Sequence, residues 1–377
     1  MKINELRERE NYDENLMKTM RHCIQADKAL GVRYTTPVQW YCHPFFSVYT
    51  TKNFCNDGRL FLRNQYLYTP KIMRRWIQAA AVEIMYQKKI YQQALKPAFE
   101  IEAPENADDI MWMPGNQRFR KFDFSQRTVR IYTKNGFSAE GILKEIDFRN
   151  QNARTRSWII PVLKYDNANG VVEEPLLAAH PVNREFDEKR VRAAFDKALA
   201  ALDELHTLAH QSIAVDEYID IKRAEFADAK SRIMNKFHGI CLDNVDAVFD
   251  KSVSVIRRVK QVDISLTHGD FQPGNILIPD ENRDDVWLID WEDLGVRASI
   301  YDMMTCLLQS RSPFGLKKRV RSFLRFPERC TVPLKIMPGI AVALWAIEEW
   351  IWLLQVSSRD GIDYLPAGLC QHFKEIS

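Results

Sequence analysis

No two cysteines in this chain are spaced as Cys-x-x-Cys, and neither sign of charge dominates. No stretch reaches the roughly 18 uninterrupted apolar residues of a membrane span. No Gly-x-Gly-x-x-Gly occurs, and there are no internal repeats or low-complexity segments. Each absence excludes a class. The seven cysteines (Cys23, Cys42, Cys55, Cys241, Cys306, Cys330 and Cys370) are odd in number and scattered, which fits reduced thiols better than a disulfide framework or a zinc site. A net charge of +3 is small for this length, so no nucleic-acid partner is expected. The richest apolar stretch, 340–354, is broken by Glu348 and Glu349 and reads as a buried helix, so no transmembrane segment is expected. The first ten residues are charged throughout and lack an apolar core, so no secretory signal is visible and a cytoplasmic location is expected.

What is present is an ordinary globular composition, 46% hydrophobic and 27% charged, over 377 residues, too long for one small core. Three blocks are expected. Residues 1–108 form an N-terminal accessory region of mixed helix and hairpin: a helix over 11–30, strands over 43–49 and 59–66 around Asn56-Asp57-Gly58, then one long helix over 70–95. Lys71, Arg74 and Arg75 give it a basic spot, read as a solvated helix face. Residues 109–180 are strand-rich: alternating runs at 118–124 and 128–134, a helix over 138–148, and strands at 157–163 and 170–176. Residues 181–377 are mostly helical, with helices over 190–211, 216–237 and 246–259, and later over 300–309, 316–324 and 340–354.

Chemistry concentrates in the third block. Leu266-Thr-His-Gly-Asp-Phe-Gln-Pro-Gly-Asn275 sets His268, Gly269 and Asp270 on one loop with Asn275 five residues beyond the aspartate. Asp290 follows behind an apolar run, in Trp287-Leu-Ile-Asp-Trp-Glu292. A loop Asp, a loop Asn and a strand-end Asp suit magnesium-dependent phosphoryl transfer: one carboxylate orients a hydroxyl nucleophile and two hard oxygen ligands hold the metal. A lone His-Gly-Asp is a common turn. The full set in this order is not.

This pattern resembles the aminoglycoside phosphotransferase/choline kinase family, small-molecule phosphotransferases of the protein-kinase-like fold. The resemblance covers about 110–310 and is strong over 266–302. It implies an α+β, two-lobed fold, with 109–180 as the strand-rich N-lobe, 181–377 as the helical C-lobe carrying catalytic loop and substrate pocket, and 1–108 as an addition. It implies Asp270 as catalytic base, with His268 beside it holding the loop in shape. Asn275 and Asp290 would be metal ligands, joined by Glu292, for which a surface turn is the plain alternative. Asp302 matches a family position that anchors the catalytic loop. For the nucleotide, ATP or GTP with Mg2+, the family needs a strand-end lysine paired with a helix glutamate. Lys134 and Glu145 are taken for these, with Arg130 and Lys121 as rival cations and Glu140 as rival acid. Only Pro114-Gly115-Asn116 offers a flexible turn before this hairpin. Glu174 lies where a hinge backbone would meet the nucleobase.

The expected partners are thus a nucleotide and a small-molecule hydroxyl acceptor: a sugar or glycan precursor, an aminoglycoside-like antibiotic or an amino alcohol. The cluster Trp345, Glu348, Glu349, Trp350 and Trp352 suits a cationic amine, but reads equally as a core helix with acids on its wet face. A pseudokinase-like nucleotide-binding module without turnover is the alternative; the missing glycine loop is its support. A protein kinase is disfavoured because the next helix opens about ten residues after Asp290, too soon for an activation segment.

Overall fold

The computed structural model describes residues 12–67, 72–115, 117–237, 242–280, 285–312, 314–329 and 336–358. Its elements begin with α1 (Tyr12–Ala29), β1 (Pro37–His43), β2 (Val48–Thr50), α2 (Asn56–Tyr66), α3 (Ile72–Met85), α4 (Lys88–Ala94) and β3 (Lys96–Glu102). Next come β4 (Ile110–Pro114), β5 (Arg118–Asp123), β6 (Thr128–Thr133), α5 (Glu140–Asn152), β7 (Lys164–Asp166), β8 (Val171–Pro175) and β9 (Ala179–Pro181). Then follow α6 (Glu188–Thr207), β10 (Gln211–Ala214), α7 (Val215–Lys236), α8 (Asp243–Ile256), β11 (Gln261–Thr267), β12 (Ile276–Pro279) and β13 (Trp287–Leu288). The last are β14 (Gly295–Ala298), α9 (Tyr301–Leu307), α10 (Leu316–Arg325) and α11 (Pro338–Ser358). The class is α+β, sheet-rich first and helical after, as expected. The chain divides into two units, 1–195 with 277–289, and 196–276 with 290–377.

The first unit is organised by an eight-stranded sheet in the order β3-β1-β2-β4-β5-β6-β8-β7, so strands from both sides of residue 108 share one sheet. Every neighbouring pair in it is antiparallel. Strand alternation sends successive side chains to opposite faces. On one face Trp112, Phe119, Tyr132 and Val171 pack with Met20 and Cys23 of α1. On the other Met111, Phe122, Val129, Ile131 and Val172 pack with Leu62, Val82, Tyr91 and Ile146 from α2 to α5. With both faces covered, these strands lose the clean apolar–polar alternation of a half-exposed sheet.

The α1 face also buries charge. Asp27, fully buried, accepts from Tyr34 Oη (2.6 Å), Arg130 Nη1 (2.7 Å), Tyr132 Oη (2.5 Å) and Lys121. Burial pushes the Asp27 carboxyl up, but Lys121 and Arg130 outweigh it and hold the group below its ordinary range. The two rival phosphate cations thus serve a buried carboxylate inside the first unit.

Several local expectations are corrected. Residues 59–66 are helix, not strand, because Asn56-Asp57-Gly58 opens α2 instead of turning a hairpin. Cys55 caps it, its Sγ accepting from Gly58 N at 3.3 Å, and Arg59 reaches back to Phe54 O and Asn56 Oδ1. A Cβ at Gly58 would sit 2.1 Å from the Phe54 ring, so the side-chain-free position is needed. The long helix is two, since Val82 and Tyr91 enter the same core from separate helices while Trp76 (85% exposed) and Ile84 (53%) stand outside. Its proposed start, Pro70, and the side chains of Lys71, Arg74 and Arg75 lie outside the described residues. So do the ten N-terminal residues, Asn116 of the flexible turn, and Cys241, Cys330 and Cys370. At 157–163 only Ile159 pairs, bridging to Leu288, and the strand falls at β7 instead. Cys23, Cys42, Cys55 and Cys306 are free thiols.

In the second unit α7, α8 and α11 form the main core with the sheet β10-β11-β14. Helix α11 is long and apolar enough to cross a membrane, yet most of it is packed inside this unit. That matches the buried-helix reading of the sequence.

Candidate active site

Strand β11 delivers His268, Gly269 and Asp270 at its end. Gly269 has φ +85°, and a Cβ there would lie 2.0 Å from Asp293 O. Only glycine allows that approach. From the other side Asp302, fully buried in the first turn of α9, accepts from His268 N at 2.6 Å and Gly269 N at 2.9 Å. Asp302 therefore anchors the loop backbone, the role the family resemblance implies for it. His268 is buried with its ring 4.3 Å from that of Trp291, and its Nδ1 accepts from Asp270 N. This places His268 where it shapes the loop.

Asp270 is held on both oxygens. Oδ2 accepts from Gln272 Nε2 at 2.8 Å and Asn275 Nδ2 at 2.9 Å, while Oδ1 accepts from Arg311 Nε at 2.7 Å. Asn275 Nδ2 also reaches Asp270 O at 2.9 Å. Asn275 is thus oriented by its nitrogen, which turns its Oδ1, the atom suited to a hard cation, away from that contact. Asp290 has φ +70° and ψ +59°, a left-handed conformation that a residue with a side chain adopts at some energetic cost. Such outliers concentrate at functional positions. Among the described residues no three His, Cys, Asp or Glu side chains are grouped to hold a metal. Magnesium asks for less, taking one or two carboxylates beside waters and phosphate oxygens. Asn275, Asp290 and Glu292 are a donor set of that kind.

Arg311 is the residue sequence reading missed. It lies forty-one positions after Asp270, between α9 and α10, in a polar Gln-Ser-Arg-Ser stretch without local signature. Besides Asp270 it donates from Nη1 to Glu349 Oε1 at 2.6 Å and from Nη2 to Gly269 O at 2.8 Å and Tyr301 Oη at 3.2 Å. Its guanidinium carbon lies 3.4 Å from the Trp352 ring centroid. Burial opposes its charge, but Glu349, Tyr301 and Asp270 more than restore it, so Arg311 is held firmly protonated.

The Trp–Glu cluster on α11 is accounted for internally. Glu349 takes Arg311 on Oε1 and the Tyr301 hydroxyl on Oε2 at 2.8 Å. Glu348 accepts from Tyr218 Oη and Ala298 N, both at 2.9 Å, and pairs with Lys222 Nζ at 3.1 Å. Trp345 and Trp350 are fully buried. Both acids sit in the core, not on a wet face.

In the first unit, Lys134 and Glu145 have separate partners. Lys134 Nζ donates to Gly115 O. Glu145, on α5, pairs with Arg118 Nη1 at 2.7 Å and Arg149 Nη1 at 2.8 Å. Burial pushes its carboxyl up, and the two arginines more than reverse this, leaving it below the ordinary range. Glu174 lies in β8 opposite Val129, and its side chain takes Arg149 Nη2 at 2.8 Å. The other rival acid, Glu140, makes an exposed pair with Lys144. Arg118 stands opposite Thr133, next to the strand-end position assigned to Lys134, so the cation reaching Glu145 comes from the neighbouring strand. Spacing along one strand could not reveal that.

Residues 174–324 match the phosphotransferase enzyme family, a span that holds the loop, Asp290, Asp302 and Arg311. No curated protein matches the chain. Among solved structures it is similar to a choline/ethanolamine kinase family protein from Mesorhizobium loti, at 14% identity and TM-score 0.47, covering 71% of this chain and 86% of that one. It is also similar to a choline kinase from Streptococcus pneumoniae, at 16% identity and TM-score 0.43, covering 71% and 89%. An aminoglycoside phosphotransferase from Streptomyces rimosus matches at 15% identity and TM-score 0.41, covering 64% and 92%.

Proposed function

We propose that this chain, which belongs to the phosphotransferase enzyme family through residues 174–324, moves the γ-phosphate of ATP or GTP to a hydroxyl of a small molecule. The observation that carries the reading is the restraint on Asp270, whose carboxylate is fixed by Gln272, Asn275 and Arg311 on a loop pinned by Asp302. A carboxylate so held is ready to accept the hydroxyl proton without first reorganising, which is how a positioned base lowers a barrier. Asn275 and Asp290, with Glu292 beside them, would hold magnesium. When bound, that ion bridges the nucleotide phosphates and neutralises the charge developing on them. Lys134, Glu145 and Glu174 remain the nucleotide-binding candidates of the first unit, with Arg118 now joined to Glu145.

A nucleotide-consumption assay over a panel of hydroxyl acceptors tests this. Asp270→Asn should lower turnover at least about 1,000-fold while nucleotide binding survives, since base and orienter are lost together. Asp290→Ala should abolish both turnover and magnesium-dependent nucleotide binding. Binding of magnesium nucleotide with no turnover on any acceptor, and none of its hydrolysis by water, would instead identify a nucleotide-binding module.

A further inference from the structure

The surroundings of Asp270 bear on the charge of the acceptor, given the reading of Asp270 as base. An ionised carboxylate has about four lone-pair sites, two on each oxygen. Oδ2 already takes two donors, Gln272 Nε2 and Asn275 Nδ2, and Oδ1 takes one, Arg311 Nε. The position left for an incoming hydroxyl is the second site of Oδ1, beside the Arg311 guanidinium. Whatever carries that hydroxyl approaches a permanent positive charge. The features that recognise an ammonium group are already consumed by the protein itself. Arg311 covers the Trp352 ring at 3.4 Å, the place a cation–π partner would take. Both oxygens of Glu349 are occupied by Arg311 and Tyr301, and those of Glu348 by Tyr218, Ala298 N and Lys222. The Arg311 charge is in turn matched by two carboxylates, Asp270 and Glu349, so it offers no surplus attraction to an anion.

We infer that the acceptor is a neutral polyhydroxyl compound of the sugar or alditol class, and that Arg311 is a positioning residue that also excludes cationic acceptors. An aminated analogue must bring its ammonium toward the guanidinium or displace Arg311 from Trp352 and Glu349. Either route also pulls Arg311 off Asp270.

The test uses the full chain and three probe sets: neutral sugars and alditols; choline, ethanolamine and an aminoglycoside; and sugar phosphates. Acceptor-free hydrolysis of the nucleotide, compared between the wild type and Asp270→Asn, examines the phosphotransfer reading by itself. If no Asp270-dependent hydrolysis or transfer is found, that reading fails and this inference falls with it. If it is found, at least one neutral polyol should raise nucleotide consumption tenfold or more, with kcat/KM at least tenfold above every cationic and anionic probe. Equal or better use of a cationic or anionic probe, or no acceleration by any neutral one, overturns the inference and leaves the reading standing. As a second arm, Arg311→Gln should lower kcat more than it raises KM and narrow the neutral-to-cationic ratio at least tenfold. Arg311→Lys, which keeps the charge, should restore most of that ratio. A ratio unchanged in both folded variants would show that Arg311 is structural only.

Discussion

Replacing Gly269 by alanine should disable the site while leaving most of the protein intact. The added Cβ would fall 2.0 Å from Asp293 O and 2.7 Å from Asp293 C, backbone atoms that cannot rotate aside. Real Cβ contacts do not come inside 3.0 Å, so the two segments must part by about 1 Å. The loop has no free direction in which to yield. Gly269 N is held by Asp302 at 2.9 Å and Gly269 O by Arg311 at 2.8 Å. At φ +85° an alanine also pays about 1–2 kcal/mol for the left-handed backbone. A misplacement of about 1 Å at a catalytic group costs on the order of 100-fold in rate. Together these predict a fall in kcat of about 100-fold, with a stability loss of only about 1–3 kcal/mol because the strain is confined to one loop. Steady-state nucleotide consumption with the best acceptor gives the first quantity and urea unfolding the second. An alanine variant with kcat within about threefold of wild type would refute the claim that this close approach sets the position of Asp270.

Asp302→Ala removes the acceptor of two buried N–H groups, each charge-assisted bond contributing about 1.5–3 kcal/mol, so urea unfolding should show a loss of about 3–5 kcal/mol; a loss under about 1 kcal/mol would contradict the anchor role. Asp27→Ala leaves Lys121 and Arg130 buried without their carboxylate and should cost about 3–5 kcal/mol in the same measurement. His43, buried among the rings of Phe46 and Tyr91, has its pKa lowered by burial to about 4 from 6.5. Its neutral form is therefore favoured by folding, and the contribution, up to about 3 kcal/mol, is complete above pH 6.5 and lost as pH falls toward 4. Unfolding followed across that window should show the slope in the wild type and a flatter line in His43→Gln.

What the sequence made legible was local. The loop from His268 to Asn275 and the strand-end Asp290 lie within about two dozen residues, and their roles depend on spacing that a one-dimensional reading preserves. The long helices α6 to α8 were readable for the same reason, since each carries its own apolar period. Illegible parts depended on partners far along the chain. Arg311 gains its meaning only from Asp270 and Glu349, 41 and 38 positions away. Lys121 and Arg130 looked like free cations until Asp27 of α1 came to lie against them, although an acid at the i+7 position from Met20 was a clue that something in the sheet would answer it. At Asn56-Asp57-Gly58 the turn chemistry was read correctly as a break and wrongly as a hairpin. Whether such a tripeptide bends back or starts a helix was decided by Phe54 and Arg59, whose packing lies outside the turn itself.

Glu348 and Glu349 are neighbours in sequence, and adjacent residues on a helix point about 100° apart. One therefore grips Tyr218 and Lys222 of α7 and the backbone of β14, and the other grips Arg311 and Tyr301 beside the catalytic loop. Helix α11 works like a two-toothed key. It can neither rotate nor slide by one residue without withdrawing both teeth at once, so its register and the aim of Asp270 are a single inherited setting. Changes of acceptor among chains built this way should accumulate in the segments around α9 and α10 that can be redrawn freely. The helix that bears the most conspicuous aromatic and acidic residues should be the part that evolution leaves alone.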